Sequence, residues 1–251
     1  QSDIAFCGPE AAIYVYNEGK EDHCVVFGQV TQCDGSFIVG RNPEDNFDWE
    51  NLRGKTIIGG RAGGVPLMTL QYILKQKNII PGEDCTVIDN IAFNLMAGAF
   101  EGGEGDYVTL FEPNATQVEK AGKGYIVAAV GEALHNVPYT VFAAKQSYMK
   151  DNPEVIEKFL RALYRGQQWV SANSDEAVAK QLQPSFPTDD LDVLTNVVKN
   201  YRSINAWKDT PVMSEDSFNL LQDIMANAGV LETRVPFDKL VDNSFAEKII
   251  K

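Results

Sequence analysis

The chain has few of the residues that hold metals or carry redox chemistry. Its four cysteines are Cys7, Cys24, Cys33 and Cys85. None forms a C-x-x-C pair, and neither His23, which directly precedes Cys24, nor His135 completes a closely spaced set of metal ligands with them. Because zinc sites need closely spaced ligands, the sequence predicts idle thiols, no metal site and no cofactor. A Cys24–Cys33 bridge across a hairpin remains an alternative.

Basic residues are also scarce relative to acidic ones. The 22 lysines and arginines against 35 aspartates and glutamates give a net charge of -13. This balance argues against binding to nucleic acid or to anionic membranes. The sequence lacks an apolar run approaching the roughly 18 residues that span a bilayer. The chain opens almost directly on an apolar strand, so we expect an earlier part of the natural protein to lie outside it.

Glycine is concentrated where a short apolar strand meets a helix. Thr56–Ile58 runs into the turn of residues 59–64 (GGRAGG), and Pro66 suits the first position of the helix that follows. A helix start of this kind offers unpaired N–H donors and partial positive charge, and Arg61 adds a full charge. We expect ligand contacts from Arg61, Ala62, Gly63 and Gly64. The alternative is a plain turn with a surface arginine.

Two further junctions have the same strand-to-helix design. The strand of residues 3–7 leads into Gly8-Pro9-Glu10, and the strand of residues 106–111 leads into Glu112-Pro113. Ligands of open α/β sheets bind at the carboxyl ends of strands, so we expect all three turns to face one crevice. The other candidate ligand-binding residues are Gly8, Pro9, Glu10, Asn94, Phe111, Glu112 and Tyr139.

Each of these candidates also has a structural interpretation. Glu10 is in the first turn of a helix, where a carboxylate stabilises the helix dipole, and Glu112 is positioned to cap its own helix. Phe111 and Tyr139 could stack on a ligand ring, but for each of them filling the core is the favoured interpretation. The residues offer no set of nucleophile, base and orienting group, so no catalytic residue is predicted.

Strand and helix patterns alternate through roughly the first 150 residues, which predicts βαβ units and a largely parallel sheet. Asp34-Gly35 is typical of a hairpin turn between the strand of residues 24–30 and that of residues 36–41. The polar segment 42–46 is where we expect the chain to leave one lobe. The predicted helix after the glycine turn has an apolar stripe of Leu67, Leu70, Ile73 and Leu74.

Four motifs in order resemble those of one protein family. Residues 3–11 (DIAFCGPEA) resemble its D-I-G-F-x-G-x-E turn, and residues 51–57 (NLRGKTI) its D-L-K-G-K-x-I segment. Residues 106–113 resemble its D-A-x-x-x-x-E-P strand, and residues 152–162 its x-P-E-x-V-x-x-F-L-x-A helix. The chain is thus similar to the type II periplasmic solute-binding proteins of ABC importers. The similar group includes binders of aliphatic sulfonates, nitrate and the thiamine pyrimidine precursor.

The resemblance implies an α/β fold with two lobes, each a mainly parallel sheet flanked by helices, and a C-terminal helical tail. The first lobe would comprise residues 1–41 and 134–251, and the second residues 42–133. Two departures from the group stand out. The resemblance implies that the group's first two βα units are absent from this chain, and we therefore expect the first lobe to be truncated at its N-terminus. Residues 60–64 (GRAGG) also stand where sulfonate binders commonly have a serine-rich turn.

The function implied is that of an extracytoplasmic binding component, periplasmic or anchored to lipid as a lipoprotein, and not an enzyme. Its two lobes would close on a small organic solute, thiamine-pyrimidine-like, a sulfonate or a related anion, and then dock on an ABC permease. One alternative is an enzyme of the pyrimidine-synthase type on the same fold, whose cysteine-rich iron motif the sequence lacks. Another is the ligand-sensing domain of a transcription regulator.

Overall fold

The computed structural model describes residues 2–251 of the chain. The strands are β1 (Ile4–Cys7), β2 (Cys24–Cys33), β3 (Ser36–Gly40), β4 (Thr56–Ile58), β5 (Thr86–Ile88), β6 (Tyr107–Phe111), β7 (Tyr125–Ala129) and β8 (His135–Lys145). The helices are α1 (Pro9–Asn17), α2 (Val65–Gln76), α3 (Met96–Glu101), α4 (Asn114–Lys120), α5 (Val130–Ala133), α6 (Gln146–Asp151), α7 (Pro153–Ala172), α8 (Asp175–Leu182), α9 (Leu191–Ser203), α10 (Glu215–Asn227), α11 (Phe237–Leu240) and α12 (Ser244–Ile250). Short 3₁₀ turns are Trp49–Leu52, Phe93–Leu95 and Gln183–Ser185.

The chain divides into two compact units, each with its own sheet and helices. The first unit comprises the chain up to Cys33, Asn136–Ser174 and Asn205–Lys251. The second comprises Asp34–His135 and Asp175–Ile204. The predicted α/β class is therefore confirmed.

The first unit contains a three-stranded sheet in the order β1-β8-β2. β1 and β8 are antiparallel, with Phe6 opposite Phe142 and Cys7 opposite Val141. Because β1 is an end strand, Phe6 is 63% exposed although its ring centroid lies 4.9 Å from that of Phe142. Elements β2, β8, α6, α7 and α12 share a buried cluster of Val25, Phe27, Ala144, Met149, Ile156, Leu160 and Ala246.

The second unit contains a five-stranded sheet in the order β5-β4-β6-β3-β7. β4 is parallel to both β5 and β6, whereas β3 is antiparallel to both β6 and β7. Helix α2 buries the predicted apolar stripe of Leu67, Leu70, Ile73 and Leu74. That prediction is confirmed, and the stripe anchors the helix that follows the glycine turn.

Both sheets contain antiparallel pairs, which corrects the expectation of mainly parallel sheets. The predicted hairpin at Asp34-Gly35 is wrong, because β2 and β3 belong to different sheets. β3 enters its sheet directly from the first unit rather than through a βαβ crossover, and it runs antiparallel to both of its neighbours, β6 and β7. Asp34 is fully buried there, and its Oδ1 accepts hydrogen bonds from the N–H of Ser36 at 2.7 Å and from its hydroxyl at 2.5 Å.

The borders of the units also differ from the expected ones. The first border lies after Cys33 rather than after residue 41, because β3 inserts between β6 and β7. Residues 175–204 belong to the second unit rather than to the first. They form α8 and α9, which pack on each other, and α9 also packs against α4. The C-terminal helical segment is therefore shared between the units.

None of the four cysteines forms a disulfide, so the Cys24–Cys33 bridge does not form; these two residues are the ends of β2. Across residues 2–251, no helix combines the length and the apolar character that crossing a bilayer requires.

We expect Gly59→Ala to destabilise the second unit. An alanine Cβ at this position, directly after β4, would lie 2.7 Å from Val87 Cγ1 and 3.0 Å from Leu67 Cδ1. Overpacking of this kind lowers the free energy of unfolding by about 1–3 kcal/mol. Urea denaturation of the purified variant measures the change.

Gly98→Ala is the matched control. Gly98 is an exposed position of α3, and a Cβ there would have no neighbouring atom within 4 Å. Because glycine disfavours helix, alanine is expected to raise the free energy of unfolding by roughly 0.5–1 kcal/mol. Equal stabilities of the two variants would contradict the close packing around Gly59.

Candidate functional site

The first unit gathers four of the predicted residues at one edge of its sheet, which we call the Gly8 edge. It consists of Gly8, Pro9 and Glu10, which follow β1, together with Tyr139 of β8. Since Cys7 pairs with Val141, Tyr139 lies just beyond the end of β1, beside the start of α1. The Thr31 hydroxyl donates a hydrogen bond to the Thr140 hydroxyl at 2.9 Å, which ties β2 to β8 at this end.

Glu10 folds back over the start of its own helix. A Cβ added to Gly8 would lie 2.0 Å from Glu10 Oε2, so the glycine makes room for this carboxylate. Burial, and secondly the charge of Glu10, raises the pKa of the Cys7 thiol to about 11. The same two causes raise the pKa of the Tyr14 phenol. Glu10 therefore places a negative charge at the carboxyl end of β1. Because Glu10 is in the first turn of α1, the same charge also stabilises the helix dipole, so this position supports the structural interpretation as well as the ligand-binding one.

The second unit gathers the remaining candidates at one edge of its sheet: Arg61–Gly64, Asn94, Phe111 and Glu112. Together with Phe93, which precedes Asn94, we call them the Arg61 edge. They follow β4 and β5 or lie at the end of β6, of which Phe111 is the last residue. Because the three strands are parallel, their carboxyl ends lie at the same edge of the sheet. Backbone bonds from Gly59 N–H to the Ile88 carbonyl (2.9 Å) and from Ala62 N–H to the Asp89 carbonyl (3.3 Å) join the first two loops.

The glycine turn has the conformation that its composition predicts. Gly60 and Gly63 have φ values of +117° and +77°, a region that residues with a Cβ rarely adopt. The N-cap of α2 is Gly64, so no side chain caps the first turn of this helix. Arg61 is exposed and forms no salt bridge with any residue of the described chain. A free guanidinium thus adjoins uncapped helix N–H groups, an arrangement that suits an anion.

Aromatic rings lie at the same edge. Phe93 follows β5 and is 51% exposed, and its ring centroid lies 5.5 Å from that of the half-buried Phe111. Asn94, the next residue, is exposed. Sequence reasoning chose Asn94 and Phe111 but missed Phe93, since the sequence gives no signal that separates an exposed aromatic ring from a core one.

The carboxylate of Glu112 is taken up by hydrogen bonds within the second unit. It accepts from the backbone N–H of Thr116 (3.0 Å), the Thr116 hydroxyl (2.8 Å) and Asn200 Nδ2 (2.6 Å). The N–H of Glu112 donates to the Tyr201 hydroxyl at 3.2 Å. These bonds favour the capping interpretation, because they fix the start of α4 and connect it to α9. Contact between Glu112 and a ligand stays a prediction.

Among residues 2–251, no group of three or more His, Cys, Asp or Glu side chains is arranged to hold a metal ion. The two edges offer instead a carboxylate in one unit and an unpaired guanidinium with aromatic rings in the other. Such groups bind and orient a small molecule through hydrogen bonds, charge and stacking. Ligand contact by each of the predicted residues remains a prediction.

The pH dependence of Cys7 alkylation tests the position of Glu10. With its pKa raised to about 11, the Cys7 thiol stays protonated at pH 8, and we expect its reaction with iodoacetamide to rise steeply only toward pH 11. In Glu10→Gln the negative neighbour is removed, so the profile should shift to lower pH. Mass spectrometry of the peptide that contains Cys7 gives the rate at each pH.

Glu18→Gln is the control, since Glu18 follows the other end of α1 and does not raise the pKa of Cys7. Its profile should match that of the parent protein. If Glu10→Gln leaves the profile unchanged as well, the carboxylate does not lie beside Cys7.

Residues 6–183 match the NMT1-like family. The chain is also 42% identical over 248 residues to a Bacillus subtilis (strain 168) protein named "Putative binding protein YtlA", with 99% of this chain and 74% of that protein covered.

Solved structures agree on the fold. The alkanesulfonate-binding protein SsuA from Xanthomonas axonopodis pv. citri, bound to MOPS, has a TM-score of 0.73 at 16% identity, covering 96% of this chain and 81% of that one. The periplasmic nitrate-binding protein NrtA from Synechocystis PCC 6803 has a TM-score of 0.75 at 16% identity, covering 98% and 73%. The desulfurization enzyme DSZB shares the fold at 12% identity with a TM-score of 0.67, covering 98% and 84%. The fold is therefore found in both binding proteins and an enzyme.

The match to the family extends over most of the chain, and the fold is that of periplasmic solute-binding proteins. The protein belongs to the NMT1-like family.

Proposed function

We propose that the protein is the extracytoplasmic solute-binding component of an ABC-type importer. Its ligand is a small organic solute, thiamine-pyrimidine-like, a sulfonate or a related anion, and its partner is a permease in the membrane. Support comes from the family, from the binding proteins with the same fold, and from the Arg61 edge.

The observation that carries the proposal is the free charge of Arg61 beside the uncapped start of α2. Arginine donates two parallel hydrogen bonds to planar or tetrahedral anionic groups, and the helix N–H groups add further donors. An overall charge of -13 does not prevent this, because the field at a binding site is set by the groups close to it. The turn can therefore take an anion without the serine-rich sequence that sulfonate binders commonly have.

The Gly8 edge supplies a chemically different group. The Glu10 carboxylate accepts hydrogen bonds from an amine or a ring N–H, and Tyr139 adds an aromatic surface. A ligand with favourable contacts to both units shifts the equilibrium toward a closed state, which is the mechanism that the family resemblance implies.

Isothermal titration calorimetry with an alkanesulfonate, nitrate, an aminopyrimidine and a carboxylate tests the proposal. We expect at least one anion to bind the parent protein, and Arg61→Gln to weaken that binding about tenfold or more, the equivalent of about 1.4 kcal/mol. Native mass spectrometry of the freshly purified protein provides a second measurement, since a tightly held solute co-purifies.

Arg165→Gln is the matched control. Arg165 is also exposed and forms no salt bridge within the described chain, but it lies on α7, away from both edges in sequence. The Arg165→Gln variant should bind the anion as tightly as the parent protein does. If no compound of the panel binds, or if Arg61→Gln binds as well as Arg165→Gln, the proposed anion site is wrong.

A further inference from the structure

The exposed ring of Phe93 is a feature that anion binding alone does not explain. Phe93 opens the 3₁₀ turn Phe93–Leu95 after β5 and is 51% exposed. Nitrate or any other small inorganic anion has no apolar surface to place against it. The neighbouring Leu95 is 58% exposed, so this turn carries two large apolar side chains in solvent beside the Arg61 edge. Exposed apolar groups that adjoin a polar site commonly mark contact with a ligand.

Phe93 is the outermost of a series of rings that begins in the core. Its partner Phe111 lies 5.5 Å away between ring centroids, with the two planes inclined at 47°. A second ring pair, Tyr201 and Phe37, has centroids 6.1 Å apart and is connected to the first through Gly35, which both Phe111 and Tyr201 contact, and Phe37 is almost fully buried. One end of the series is therefore anchored in the sheet, and the other end is open to solvent.

The position of Phe111 is fixed by its surroundings. A Cβ added to Gly35 would lie 3.3 Å from the Phe111 ring and 3.1 Å from the Tyr201 ring, so both rings pack directly on the backbone of Gly35. The Tyr201 hydroxyl accepts the N–H of Glu112, the residue that follows Phe111. With its inner neighbour held in this way, Phe93 presents a pre-formed aromatic surface rather than a mobile one.

The positive charge of Arg61 at this edge adds a second requirement for the ligand. Arg61 follows β4, which is parallel to and paired with the strand that precedes Phe93, and the hydrogen bond from Ala62 N–H to the Asp89 carbonyl holds the two loops together. A cationic group and an open aromatic surface therefore belong to adjacent loops of one unit. A ligand that satisfies both has an anionic group and a planar apolar body.

On this geometry, and resting on the proposed function, we propose that the solute is an organic anion that carries an aromatic ring. Arg61 and the start of α2 bind the anionic group, and Phe93, supported by Phe111, stacks on the ring. Stacked and edge-to-face ring pairs are more favourable than contacts of equal area between an aromatic ring and an alkyl chain. Phe93 is thus a specificity-determining residue that selects aromatic anions over alkyl and inorganic ones.

Calorimetric titration with benzenesulfonate, propanesulfonate and nitrate tests this inference, because the two sulfonates share one anionic group and differ in the organic part. We expect the parent protein to bind benzenesulfonate about tenfold more tightly than propanesulfonate, and nitrate most weakly. Phe93→Leu keeps an apolar side chain but removes the ring, so it should reduce the preference for benzenesulfonate to about twofold or less. Phe93→Tyr should retain the preference.

Phe186→Leu is the matched control, since it makes the same substitution at another exposed ring, which lies outside the Arg61 edge in the sequence. Its preference for benzenesulfonate should equal that of the parent protein. Because both rings are exposed, these variants are expected to fold, and far-UV circular dichroism checks that they do.

The outcomes separate the two proposals. If propanesulfonate binds as tightly as benzenesulfonate, or if Phe93→Leu keeps the full preference, the aromatic inference is wrong while the importer function stands. If none of the three anions binds the folded parent protein, the proposed anion site fails and the aromatic inference fails with it.

Discussion

Strand β4 lies between β5 and β6 and runs parallel to both, so three loops emerge at one edge of the second sheet. Every candidate residue of the second unit depends on this pairing. Parallel strands need a crossover connection, and α2 and α3 lie in the connections that follow β4 and β5. The glycine turn is therefore both the start of a structural crossover and the place where Arg61 and the helix N–H groups become available to a ligand.

Strand β3 imposes a second constraint. All five of its residues are buried, and it is hydrogen-bonded on both sides, by β6 and by β7. The chain thus enters the second unit through the middle of its sheet rather than at its edge. Asp34 and Gly35 form the start of this segment. Asp34 accepts hydrogen bonds from Ser36, and the rings of Phe111 and Tyr201 pack on Gly35. The aromatic surface at the Arg61 edge is consequently supported by the same segment that links the units.

Local signals in the sequence predicted the local structure well. Proline and glycine placed the starts of α1 and α2, and the apolar stripe of α2 is buried as its spacing indicates. The sheet that β3 joins was not predictable, because a short apolar strand between turn residues fits any sheet equally well. The same holds for α9. Its buried residues Val193, Leu194, Val197 and Val198 have a helical spacing that marks one face as buried, but the spacing does not indicate the unit against which that face packs.

In the candidate site, too, some features follow from the local sequence and others only from long-range packing. The glycine turn and its arginine follow from composition and conformational preference. The hydrogen bonds of Glu112, in contrast, depend on Asn200, which is 88 residues away in sequence, and no local pattern connects them. The exposure of Phe93 likewise depends on which segments of the chain pack around its turn, and no local pattern indicates this. Long-range packing, rather than local preference, decides which aromatic and acidic candidates remain open to a ligand.

The contact between positions 8 and 10 has a consequence for substitution of the glycine. Because a side chain at Gly8 would occupy the space of the Glu10 carboxylate, the two positions are coupled. A larger residue at position 8 is accommodated when this carboxylate rotates away. A substitution of the glycine therefore moves a negative charge at the end of β1 even when the acidic residue itself is retained.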